Sequence, residues 1–269
     1  PILVNTQRDY IAGITPTEIS KKHLIPNDII EAHEQGIIHF HDLDYFLQNS
    51  LTNCELINLE DMLNNGFVIN KLLIEKPHRL ITATTIAPQI ILNVSNSTYG
   101  GATITLTHLA PFIKESENFY KNKYENFDLD EKQKQELINY DLHREIKDAV
   151  QTFNYQINTM TTNNGQAAFL TVFMYINENE KYKHETALLI EEFLKQRIEG
   201  IKNENGFFTT IAFPKLIYVL DENNINETSE YYYLTKLAAQ CSAKRLTPDY
   251  ISAKIMKELK GFVYPTMSC

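Results

Sequence analysis

The sequence predicts an α/β fold built on parallel strands, and two observations carry that expectation. In the second half, apolar runs of strand length at 167–175 and 213–220 alternate with helix-spaced segments at 184–199 and 230–244. A strand, helix, strand, helix order implies parallel pairing, because parallel neighbours need a crossover rather than a tight turn. With 269 residues and 43% hydrophobic content, the chain is also long enough to bury the large core such a unit needs.

The first half predicts helices with clear punctuation. Thr15-Pro16-Thr17-Glu18 reads as a helix start, with a capping Thr, Pro at the first helical position and Glu at the third; a second short helix over 26–35 closes at Gly36. Residues 36–42, Gly-Ile-Ile-His-Phe-His-Asp, alternate as a strand would, with His39 and His41 on one face and Ile38 and Phe40 on the other. A short capped helix follows over 58–66. Residues 77–97 read as one long apolar helix that Pro88 should kink, with Tyr99-Gly100-Gly101 ending it. Two more long helices are expected over 107–124 and 130–160; the stripe Leu142, Ile146, Val150, Phe153 and Ile157 marks core or a dimer interface. Residues 245–250 read as a turn.

Composition excludes several classes of function. A net charge of −9 and a pI near 5.4, with scattered basic residues, disfavour a protein that coats nucleic acid, so no direct DNA binding is expected. No apolar run approaches a membrane span and the N-terminus lacks signal-peptide architecture, which makes the cytoplasm the expected compartment. Cysteines at 54, 241 and 269 form no CxxC pair and leave an odd count, against a disulfide framework or a complete zinc site. Taken singly, each is a small buried hydrophobe.

Other constellations are weaker. His39 and His41 with Asp42 have the residue types of half a metal site, which would suit a metal-dependent hydrolase, but no second cluster completes it. The turns Tyr99-Gly100-Gly101 and 163–166, Asn-Asn-Gly-Gln, offer backbone amides to phosphate no better than ordinary turns do. GxxxxGK[ST], GxGxxG and GxSxG are absent. A non-catalytic, nucleotide-binding assembly module is the remaining alternative.

The order of fragments adds a further signal. Gln7-Arg8-Asp9, Ala32-His33-Glu34, Gly36 to Asp42, Thr52-Asn53-Cys54, Met62 to Phe67, Tyr99-Gly100-Gly101, Asn164-Gly165-Gln166, Phe213-Pro214-Lys215-Leu216, Cys241 to Arg245 with Pro248-Asp249, and Met267-Ser268-Cys269 follow one another along essentially the whole chain. In this it resembles the N-terminal half of the anaerobic (class III) ribonucleoside-triphosphate reductases, which are glycyl-radical enzymes. Ser268 departs from the Gly that the family carries before its cysteine.

The resemblance implies the first half of a ten-stranded α/β barrel, with long dimer-forming helices. Residues 1–269 would form a single catalytic-domain fragment ending at the finger-loop cysteine, without an ATP-cone and without the C-terminal region that holds the glycyl radical and a structural zinc. Cys269 would carry the thiyl radical, Cys54 would face it across the ribose, and Asn53, His39 and His41 would orient substrate or formate, the reductant. Glu75, Gln89 and Lys121 would belong to an effector site for dNTP or ATP at a homodimer interface. No metal or cofactor is expected within this chain. The implied partners are a ribonucleoside triphosphate, the missing C-terminal half and a radical-SAM activating enzyme.

Overall fold

The computed structural model describes residues 4–47, 54–69, 71–98, 100–162 and 167–267. Helix α1 (Val4–Ile19) runs into a five-residue π-helical segment, Ser20–Leu24, and is followed by α2 (Asn27–Glu34). Strand β1 (Glu55–Leu56), α3 (Leu59–Asn65) and the hairpin β2 (Phe67–Ile69) and β3 (Leu72–Ile74) lead into α4 (Leu80–Ser95). Then come β4 (Ala102–Thr105), a 3-10 turn, α5 (Ala110–Tyr124), α6 (Glu131–Thr159), β5 (Leu170–Met174) and α7 (Lys183–Glu199). A second hairpin, β6 (Ile201–Lys202) and β7 (Phe208–Thr209), precedes β8 (Lys215–Leu220), α8 (Tyr232–Arg245), β9 (Asp249–Ser252) and α9 (Ala253–Lys260).

The expected parallel sheet is present. Five strands pair in the order β1-β4-β5-β8-β9, every pair parallel. The order never reverses, so this is not a doubly wound sheet with a switch point; each crossover advances one strand in the same direction, as in a barrel wall. Crossovers of one hand put the helices on one face. Ala102, Ile104, Leu170, Val172, Met174, Leu216 and Tyr218 accordingly share one core with α4 to α8. The alternate residues Thr103, Thr105, Thr171, Phe173, Ile217 and Val219 occupy the opposite, inner face.

The stripe on α6 is core: Val150, Phe153 and Ile157 are fully buried, beneath α4. An Asp130 capping box starts this helix, with Gln133 N–H donating to Asp130 Oδ1 at 2.8 Å. Helix α4 starts differently, because Arg79 before it is extended and offers no cap. Its first amides go to other helices: Leu80 N–H donates to Ser116 Oγ at 2.9 Å and Ile81 N–H to Glu145 Oε1 at 3.1 Å. Ser116 Oγ also donates to Glu145 at 3.0 Å, and Arg79 Nη2 reaches both Glu145 Oε2 and Tyr120 OH at 2.8 Å. One buried carboxylate thus ties α4, α5 and α6 together. The helix continues as one element through Pro88.

Several local expectations are corrected. The chain does not begin a helix at Thr15: α1 is already helical from Val4, and Thr15 Oγ1 folds back to donate to Ile11 O at 3.5 Å instead of capping. Residues 36–42 form no strand. Gly36 and Asp42 are left-handed (φ 71° and 54°), the amides of Ile37 and Ile38 turn back to Ala32 O, and Phe40 N–H donates to His33 Nδ1 at 3.2 Å. Those donors finish α2 rather than pairing with a neighbouring strand. The turn at 245–250 is shorter than expected, since Leu246 (φ 59°) ends α8 and Asp249 already belongs to β9. Tyr99 and residues 163–166, the two glycine turns considered for phosphate, lie wholly or partly outside the described residues.

Two outcomes are expected from this packing. Burial alone would raise the Glu145 carboxyl, but the Arg79, Ile81, Tyr120 and Ser116 hydrogen bonds outweigh it and hold it below its ordinary value of 4.5. A depressed carboxylate contributes stability above its unfolded value, and that contribution disappears as pH falls from about 4.5 through the folded value. Glu145→Ala should therefore cost about 3 kcal/mol at neutral pH, and less as pH falls below that range, by urea unfolding. Cys241 is a free, fully buried thiol in the helix-side core, and Cys241→Ser should lower stability by about 1–2 kcal/mol by the same measurement.

Candidate active site

The inner face carries none of the large crossover helices and is exposed at Leu56, Phe169 and Lys215, while Thr103, Thr171, Phe173 and Val219 on it are buried. Glu55 N–H donates to Gly101 O at 3.1 Å and Ile57 N–H to Thr103 O at 2.9 Å, which sets Cys54 beside Gly101 at the start of β1. Leu56 is in register with Thr103, and strand alternation puts Cys54 on the same, inner side. Cys54 is disulfide-bonded, whereas Cys241, on the opposite side of the sheet, is free.

The C-terminal segment returns over this same face. After α9, Val263 packs against the inner cluster of Phe173, Ile217 and Val219, and Thr266 C=O accepts from Thr103 Oγ1 at 3.3 Å. Thr103 neighbours Leu56, two residues past Cys54. Cys269 lies outside the described residues.

Toward the C-terminal end of β4 the face turns polar. Thr105 Oγ1 donates to Glu178 Oε2. Burial raises the Glu178 carboxyl above its usual range, against the Thr105 and Thr107 hydroxyls. His108 is pushed the opposite way, again by burial, with the Glu60 carboxylate opposing. Both shifts favour the uncharged forms.

The histidines of the expected site are brought together, though not on a strand. In the loop after α2, the rings of His39 and His41 lie 5.6 Å apart, with His39 equally close to His33. His41 Nε2 is 3.2 Å from Asp42 Oδ2. Among the described residues no group of three or more His, Cys, Asp or Glu side chains is arranged to hold a metal ion. Asn53 lies outside the described residues.

The proposed effector residues are spread over the helical side. Glu75 follows β3 and is exposed, next to Lys76, which reaches Glu115 of α5 at 3.8 Å. Lys121, on α5, pairs with Glu117 at 2.7 Å, while Gln89 is exposed on α4. Arg79 and Leu80 join α5 at Tyr120 and Ser116, so Glu75 and Lys121 flank the start of α4. Gln89 is nine residues further along, about 13 Å away on the helix axis.

Sequence reasoning passed over three inner-face residues. Phe169 lies between the buried Ala168 and Leu170 yet is 42% exposed, its ring 5.2 Å from that of Phe213. Thr171 and Lys215 are register partners in the next row. A signal was available: in β8 the buried Leu216 and Tyr218 of the helix side alternate with Lys215, Ile217 and Val219.

Comparison with known proteins agrees with this architecture. The family model described as anaerobic ribonucleoside-triphosphate reductase matches residues 2–269. The anaerobic ribonucleoside-triphosphate reductase of Escherichia coli (strain K12) is 35% identical over 271 residues, covering 99% of this chain and 37% of that protein. The protein of the same name from Enterobacteria phage T4 is 35% identical over 272 residues, covering 98% of this chain and 43% of its own. The chain therefore spans less than half the length of these relatives. The crystal structure of the anaerobic ribonucleotide reductase from Thermotoga maritima in complex with dATP and CTP superposes with a TM-score of 0.61 at 12% identity, over 94% of this chain and 42% of that one. That likeness establishes the fold alone. With a parallel five-stranded wall, a cysteine at its edge and a family match along nearly its whole length, this chain belongs to the anaerobic ribonucleoside-triphosphate reductase family.

Proposed function

We propose that this chain forms the first half of an enzyme that reduces ribonucleoside triphosphates to 2′-deoxyribonucleoside triphosphates for DNA synthesis in the cytoplasm. The observation that supports it most is the return of residues 261–267 across the inner face to β4, beside the strand that begins at Cys54. On this reading, two cysteines far apart in sequence, Cys54 and Cys269, serve one small region. Both are needed as thiols for the reaction.

The roles follow from what a thiol can do. Cys269 would give its thiol hydrogen to a glycyl radical held elsewhere in the protein, restoring the glycine C–H bond and leaving the radical on its sulfur. The resulting sulfur radical then takes the 3′ hydrogen of the ribose. Cys54, across the sugar, gives a proton or hydrogen to the 2′ side, where oxygen leaves as water. With formate as reductant the reaction balances: ribonucleotide, formate and one proton give deoxyribonucleotide, carbon dioxide and water. His39, His41 and Asn53 orient substrate or formate. Enclosure by a complete barrel keeps water from the radicals. This half alone is inactive, since the glycine radical, a structural zinc and the radical-SAM activating enzyme act on or from the remainder.

The test is substitution of each thiol in the full-length enzyme. Cys269→Ser should abolish turnover while the glycyl radical signal still forms on activation, because a hydroxyl bond is too strong for a carbon radical to cleave. Cys54→Ser should stop deoxynucleotide release but retain loss of tritium from the 3′ position. Substantial turnover by either variant would overturn the assignment.

Glu75, Gln89 and Lys121 are assigned to an effector site completed by a second subunit, so dNTP binding and dimerisation should be linked. A dNTP is expected to tighten the dimer in sedimentation. Gln89→Ala or Glu75→Ala should shift which base is reduced and leave the radical intact. A protein that stays monomeric in saturating dNTP, with variants that keep the parent's substrate choice, would place the effector elsewhere.

A further inference from the structure

We infer that Lys215 binds the polyphosphate of the substrate from across the inner face, opposite Cys54. This deepens the proposed function and rests on it. The five strands of the wall are Glu55–Leu56, Ala102–Thr105, Leu170–Met174, Lys215–Leu220 and Asp249–Ser252, and Lys215 is the cation among them. Leu216 beside it is buried on the helix side, so Lys215 belongs to the inner face, in register with Thr171.

Its row is open. Thr171 pairs with Thr103, and Thr103 with Leu56, so the row from β1 to β8 holds Leu56, two threonines and then the lysine. In the row of Cys54, Gly101 keeps the surface low, because a Cβ there would stand 3.0 Å from Phe169 O. The exposed ring of Phe169 follows. Lys215 is itself exposed, and among the described residues no carboxylate lies within ion-pair distance of it. An exposed, unpaired ammonium beside the open row of Cys54 and Phe169 suits a phosphate chain.

Distance selects which anion it receives. Three strand spacings separate β1 from β8, roughly 14 Å along the sheet. A ribose held at Cys54, an extended triphosphate and the four-carbon stem of a lysine together cover that span. Formate reacting at the ribose is out of the lysine's reach. Lys215 is thus a substrate-positioning residue for the terminal phosphates.

Binding to the unactivated, full-length enzyme tests this without turnover. Equilibrium dialysis with a ribonucleoside triphosphate should show Lys215→Ala weakened about tenfold to a hundredfold, the loss expected for one charge-assisted contact. The matching nucleoside should bind parent and variant alike, Lys215→Arg should recover most of the affinity, and Lys215→Gln should match Lys215→Ala, all with unchanged dNTP effector binding. Equal triphosphate affinity in parent and Lys215→Ala, equal losses for triphosphate and nucleoside, or a parent that binds no triphosphate would each overturn the inference. A parent that binds the triphosphate through Lys215 but never reduces it, once activated, would leave the lysine standing and remove the proposed function instead.

Discussion

Parallel strands must be joined by crossovers of one hand, and in this chain every crossover also advances in one direction, from β1 through β4, β5 and β8 to β9. Almost everything else depends on that constraint. All the large helices are forced onto one face, where they bury Ile104, Val172, Met174 and Tyr218. The other face receives no helix of this kind, and is left to side chains of a different character and to the returning C-terminal segment. A reversing strand order would have covered both faces and put any site at the carboxyl edge of a switch point. Here the inner wall is left to α9 and the C-terminal segment, and only part of it, at Leu56, Phe169 and Lys215, stays exposed.

The helical layer is joined by polar chemistry as well as by apolar packing. Glu145 is 5% exposed on α6, yet it accepts bonds from α4, from α5 and from Arg79, which also stacks over Phe119 at 4.4 Å. A buried carboxylate is tolerable only when its oxygens are satisfied, and removing one partner would strand the charge. This fixes the start of α4 relative to α5 more strictly than leucine packing would. Glu75 and Lys121 flank that same start. A ligand that moved α5 by a fraction of a turn would have to break or carry along the whole network, and α6 of that network packs beneath α4 on the sheet.

The legible part of the sequence was its periodicity. The alternation of apolar runs and helix-spaced segments after residue 167 foretold β5, α7, β8 and α8, and the spacing of Leu142 to Ile157 foretold a buried helix, because burial on one side imposes a period that survives in the residues themselves. Strand β4 was missed because Ala-Thr-Ile-Thr is too short to show a period, and α9 because it buries only Ala253. The false strand at 36–42 has a physical cause: its alternation is real, but the amides of Gly36, Ile37 and Ile38 are committed to closing α2. Cys54 was singled out through family wording rather than spacing. Its placement beside Gly101 depends on a parallel ladder with a strand 47 positions on, starting at Ala102, which no local pattern encodes.

The two described cysteines show how the same side chain acquires opposite prospects from the side of the sheet it occupies. Cys241 is sealed among helices, its thiol pushed up by burial even with Arg197 and Arg245 close by, so it neither ionises readily nor meets a ligand. Cys54 is half-buried beside the first residue of an edge strand, on the inner side of the sheet where the C-terminal segment returns. Radical chemistry at sulfur needs no ionisation, only close approach of a second group along a defined line. Parallel strands hold that line well, since Gly101, Thr103 and the backbone bonds to Glu55 and Ile57 fix the height of Cys54 relative to Thr266. The wall therefore supplies position, and the chemistry is left to whichever groups the chain brings over it.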